Sequence, residues 1–107
     1  MALDTLKARG RSLELFERYH ALLTDHQREV LDLQLKSDWS LAEIAEHQGT
    51  SRAAVHDIIR RSNQALVEYE RRLGLLAEAR RRRGALDSLQ KEVMHLRRRI
   101  ARMEASI

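Results

Sequence analysis

Apolar residues in this chain recur at steps of three and four, the period of a helix and not of a strand. In SLELFERYHALL, residues 12–23, Leu13, Phe16, His20 and Leu23 share that spacing. Glu14, Glu17 and Arg18 occupy the other side, so an amphipathic first helix is expected there. The next stretch, TDHQREVLDLQLKSD, places Val30, Leu31 and Leu35 on one side of a second helix that closes at Lys36–Asp38. Thr24 followed by Gln27 is a capping box: the hydroxyl accepts from an early backbone N–H while the amide reaches back. Ser40 and Glu43 repeat that arrangement, and Trp39 and Ile44 flank it as a hydrophobic staple. A third helix is therefore predicted to start at Leu41.

Gln48-Gly49-Thr50 reads as a short turn, with Ser51 as the cap of the following helix. The helical pattern then runs on from Arg52 through DIIRRSNQALVEYERRLGLLAEARRRR. Gly74 lowers helix propensity there without demanding a stop. Gly84, which follows Arg80, Arg81, Arg82 and Arg83, is the expected break or hinge. Beyond it the apolar steps alternate strictly between three and four. Leu86, Val93, Ile100 and Ile107 take the a positions of a heptad, and Leu89, Leu96 and Met103 the d positions. This pattern predicts a parallel two-stranded coil between two copies of the chain. Glu92 would then face Arg97 of the second chain, and Arg99 would face Glu104, each pair contributing about 0.2–1 kcal/mol. Packing of the same stripe onto its own domain is the alternative.

Composition narrows the class. The chain has 107 residues, 43% of them hydrophobic but only 4% aromatic, with no proline and four glycines. An aliphatic core and an all-α fold follow. The expected organisation is a helical domain over residues 1–76 with a helix-turn-helix at 41–61, then a basic helix over 77–107, coiled from about residue 85. With no cysteine, disulfides, thiolate metal sites and cysteine nucleophiles are excluded. His20, His26, His47, His56 and His95 stand at no metal-ligand spacing, and no phosphate-cradling glycine loop or G-x-S-x-G is present. Neither an enzyme activity nor a metal or cofactor is expected. No segment is long and apolar enough to span a bilayer, and no h-region opens the chain, so a cytoplasmic location is expected by default.

Helix-turn-helix chemistry accounts for residues 41–61. Ala45 is small where two helices cross, Gly49 supplies a left-handed turn, and Ile44, Val55 and Ile58 fill the angle between the helices. A groove-reading second helix would present Ser51, Arg52, Ala53, His56 and Asp57, with Arg60 and Arg61 further along. Arg52 suits a guanine edge or a phosphate. Asp57 could accept from a cytosine amino group, or pair with Arg60 or Arg61 along the helix. Charge points elsewhere, because residues 40–61 balance three arginines against three acids. Residues 1–70 net −3, whereas residues 71–107 hold 11 Lys/Arg against 4 Asp/Glu and net +7. General attraction to polyanions is thus expected in the tail, through Arg80, Arg81, Arg82, Arg83, Arg97, Arg98 and Arg99.

The segments ALLTDHQ, DWSLAEIAEHQGTSRAAVHDIIRR and ALVEYERRLGL, within about residues 13–76, resemble the YlxM-like family of small bacterial proteins. That family is similar to region 4 of sigma-70 factors. The resemblance implies a cytoplasmic bacterial protein with a sigma-region-4-like helix-turn-helix. It also implies a link to the signal recognition particle, beside whose protein-component gene the family's genes typically lie. Ser51, Arg52, Val55 and Asp57 match the family motif, while His56 stands where many members have tyrosine. The leading expectation is a homodimeric, DNA-binding transcriptional regulator in which Arg52, His56 and Arg60 face the groove. An accessory of the signal recognition particle, touching its RNA or protein component through the tail, is the second. A protein-interaction module without nucleic-acid affinity is the third.

Overall fold

The computed structural model describes residues 2–106, with side chains from Leu6 onward, so the predicted seam residue Ile107 lies outside the described residues. Five α-helices follow in order: α1 (Ala2–Tyr19), α2 (Asp25–Leu35), α3 (Leu41–Gln48), α4 (Arg52–Leu73) and α5 (Leu75–Ala105). A single 3-10 turn (His20–Leu22) joins α1 to α2, and no strand is present among the described residues. The fold is all-α. The chain divides after Leu76 into two compact units.

Three side-chain caps set the helix starts of the first unit. Thr24 and Gln27 exchange bonds of 3.2 and 3.1 Å at the head of α2. Ser40 and Glu43 do the same, both at 3.1 Å, at the head of α3. Ser51 Oγ accepts from the Ala54 amide at 3.1 Å to start α4. Each such cap is worth about 1 kcal/mol relative to alanine. The 22-residue α4 packs against α1, α2 and α3, so its buried stripe of Val55, Ile59, Ser62 and Leu66 forms the axis of the unit. Ser62 is fully buried, and its hydroxyl is satisfied by donating to the Ile58 carbonyl at 2.7 Å.

Two expectations need correction. The inward stripe of α1 is Leu15, Phe16 and Tyr19, with Leu13 at its margin, and His20 is exposed. The helix tightens into the 3-10 turn at His20, which carries Leu23 into the core and turns His20 to solvent. The second correction concerns the glycines. Gly74 ends α4 in a left-handed conformation (φ 61°, ψ 22°), whereas Gly84 sits inside an unbroken α5.

The cause lies in a contact between distant parts of the chain. Tyr19 is 1% exposed, and its hydroxyl donates to Glu70 Oε1 at 2.5 Å while accepting from the Leu75 amide at 3.0 Å. The same carboxylate oxygen accepts from the Leu76 amide at 2.9 Å. Two amides at the head of α5 thereby find acceptors on α1 and α4, and the left-handed glycine makes the required bend. No such partners surround Gly84, so propensity alone cannot break the helix there.

This network carries a prediction. Burial, and then the hydrogen bond to Glu70, raises the Tyr19 pKa above its ordinary value. A raised pKa means stability that is fully present below about pH 10 and lost as pH rises through the folded-state value. Tyr19→Phe removes the hydroxyl and orphans the Leu75 amide, at a cost of about 1–3 kcal/mol at neutral pH. In urea titrations from pH 7 to 11, the gap between the intact protein and Tyr19→Phe should shrink above about pH 10. A gap that widens there would contradict the assignment.

Candidate nucleic-acid interface

The helix-turn-helix is built from α3, the turn at Gly49–Ser51 and the first turns of α4. Gly49 adopts φ 67° and ψ 37°, which a side chain would strain, and the Thr50 amide closes onto Ala45 at 3.0 Å. Ile44, Ala45 and Val55 are buried in the angle, with Ile58 and Trp39 packed at its margin. Trp39 also meets His47 edge-on, with ring centroids 5.3 Å apart. The corner is therefore rigid, and it holds the start of α4 at the surface.

Ser51, Arg52, Ala53, His56, Arg60 and Arg61 are all exposed along α4. They are not electrostatically equivalent. Asp57 binds both Arg60 (2.6 Å) and Arg61 (2.9 Å), one helical turn away. Arg60's hydrogen bond, with the charge of Arg61 behind it, holds the Asp57 carboxyl below its usual range. The Ser51 hydroxyl is engaged as the cap of its own helix. Further along α4, Glu68 takes Arg71 at 2.6 Å and Arg72 at 2.8 Å, which lowers its pKa to about 2. Among the described residues, Arg52 is thus the α4 arginine without an ion-pair partner. It also stands at the first helical position, where the helix dipole adds positive potential.

Sequence reasoning overlooked the pairing of Glu68 and a shallow cleft along α4 lined by His56, Ile59, Asn63 and Val67. The i, i+3 and i, i+4 spacing of Glu68 to Arg71 and Arg72 could have shown the first. The second depends on which residues α1 and α2 leave uncovered.

In the second unit, α5 has every residue from Arg80 to Ala105 exposed. Leu86, Leu89, Val93, Leu96, Ile100 and Met103 keep between 45% and 66% of their surface open, an apolar line of six side chains on one helix. Glu78 pairs with Arg82 at 3.2 Å, and Arg80, Arg81 and Arg83 flank that pair. Arg97, Arg98 and Arg99 have no acidic partner among the described residues. Free positive charge is therefore sparse on α4 and dense on α5. Among the described residues no helix is long and apolar enough to cross a membrane, and no cluster of three metal-ligating side chains exists.

These features define a small all-α helix-turn-helix protein carrying a long basic helix. The chain belongs to the family described as "Putative helix-turn-helix protein, YlxM / p13 like", whose model matches residues 6–106. It is 54% identical over 76 residues to a UPF0122 protein of Symbiobacterium thermophilum, covering 71% of each chain. A UPF0122 protein of Clostridium kluyveri is 56% identical over 64 residues, 60% of this chain and 58% of that one. One from Geobacillus kaustophilus is 46% identical over 76 residues, covering 71% of this chain and 69% of the relative. The matched stretch thus spans less than two thirds of the Clostridium kluyveri protein.

Proposed function

We propose that this protein binds duplex nucleic acid, as a DNA-binding transcriptional regulator in which α4 supplies discrimination and α5 supplies most of the affinity. The observation that carries the reading is the division of charge. Arg52 is an unpaired cation at the start of a rigidly held recognition helix, while the bulk of the uncompensated positive charge lies on α5. A guanidinium at that position suits a guanine edge, a contact worth about 1–3 kcal/mol of base discrimination. Arg60 and Arg61, tied to Asp57, are cast as backbone neighbours.

Two copies are proposed to pair through Leu86, Leu89, Val93, Leu96, Ile100 and Met103, in the parallel sense set by Glu92 with Arg97 and Arg99 with Glu104. Such a seam would cover an apolar line that the single chain leaves open.

Arg52→Ala tests the groove contact. In fluorescence anisotropy against a selected duplex and its scrambled partner, the variant should lose about 1–3 kcal/mol of preference between the two. Unaltered preference would remove α4 from the interface.

A second reading has its own support. Because most of the free charge lies on α5, with Arg52 alone on α4, the tail suits an RNA or protein component of the signal recognition particle as well as DNA. The same titration, run with that particle's RNA, separates the two.

A further inference from the structure

Beyond Gly84 the cations of α5 fall into two sets that differ in what surrounds them. Arg97 and Arg99 border the apolar line, where a second copy would offer them Glu92 and Glu104. Lys91, His95, Arg98 and Arg102 follow one another at steps of four, three and four. At about 100° per residue, that spacing stacks them on one face, roughly half a turn from the line Leu86–Leu89–Val93–Leu96–Ile100–Met103. None of Lys91, Arg98 and Arg102 has an ion-pair partner among the described residues. The three acids of this stretch lie off the face or at its start: Glu92 and Glu104 flank the apolar line, and Asp87 sits one turn before Lys91.

From these placements the geometry points to a phosphodiester-binding stripe at Lys91, Arg98 and Arg102, with His95 between them. The stripe deepens, and rests on, the nucleic-acid reading above. A rise of 1.5 Å per residue gives it a length of about 16 Å. Its three cations stand about 10.5 and 6 Å apart along a rigid rod, within reach of separate phosphates of one duplex backbone. Burying the apolar line against a second copy leaves this face in water on both chains. Arg97 and Arg99, by contrast, are drawn into the seam and are poor phosphate ligands.

A membrane surface fits less well. An interfacial helix needs a broad apolar face edged by lysine or arginine. Here the apolar face is a narrow line, and Glu92 and Glu104 share its borders with Arg97 and Arg99. An acidic protein would need its own rod of matching period, a demand that every nucleic-acid duplex meets.

The test uses the full chain and a Lys91→Gln/Arg98→Gln/Arg102→Gln variant, with a 20-base-pair DNA, an RNA duplex and vesicles of anionic lipid. Dissociation constants are measured across a salt series, with circular dichroism and light scattering confirming helix content and mass. Each lost phosphate contact on B-DNA removes about 0.9 from the slope of log affinity against log salt, so the variant's slope should flatten by about 2–3 per engaged chain. Flattening on DNA alone or RNA alone identifies which backbone the stripe serves. A slope equal to that of the intact protein overturns the stripe while leaving the nucleic-acid reading standing. Absence of duplex binding by the intact protein overturns both, as does variant-sensitive binding confined to vesicles.

Discussion

Ile44→Ala is expected to cost the first unit about 2–5 kcal/mol, the range for truncating a buried branched aliphatic side chain. Ile44 is fully buried in the angle between α3 and α4, against Ala45 and Val55. The substitution removes three methyl or methylene groups from a site whose walls are two capped helices and a left-handed glycine turn, so the cavity cannot readily collapse. A unit of this size has a total stability of about 4–11 kcal/mol, and the loss is a large fraction of it. The thermal midpoint should fall by at least about 10 °C. Urea titration should show a lower midpoint with an unchanged slope, since the surface exposed on unfolding stays nearly constant. Ile58→Ala, at the partly open margin of the same corner, should cost less. Equal losses at the two positions would mean that the angle between the helices is not where the packing energy lies.

That corner was legible in the sequence because its determinants are local. Ser40 with Glu43 and Thr24 with Gln27 are each three residues apart, and both reciprocal bonds of each box are formed. Gly49 takes the left-handed angle that its place between two periodic segments required. Asp57 lies three and four residues before Arg60 and Arg61, and both pairs form.

Long-range terms explain what was missed. Gly74 and Gly84 differ little by local propensity. What separates them is Tyr19 on α1 and Glu70 on α4, whose oxygens receive the Leu75 and Leu76 amides. The stripe of α1 was misread for a related reason: Tyr19 belongs in the core because its hydroxyl has partners there, and those lie 51 and 56 residues away. Of the interface, the excess charge of the tail was visible from composition. The place of Arg97 and Arg99 beside the seam was legible too, because the heptad that sets it lies wholly beyond Gly84.

In the proposed division of labour, α5 holds the nucleic acid and α4 discriminates. A chain ending at Ala79 keeps Leu75 and Leu76, and with them the Tyr19–Glu70 network, while removing Arg80–Arg83, the seam and the outward stripe. Its thermal midpoint serves as the control for folding. Equilibrium titration of a labelled duplex at about 0.05 and 0.2 M salt, where six to ten phosphate contacts would cost about 10³–10⁵ in affinity, compares the shortened and intact chains. The shortened chain should bind at least about 100-fold more weakly at the lower salt, lose most of the salt dependence, and have the mass of one chain instead of two. A shortened chain that binds with undiminished affinity and the same salt slope would contradict that division, and would place the interface on the helix-turn-helix alone.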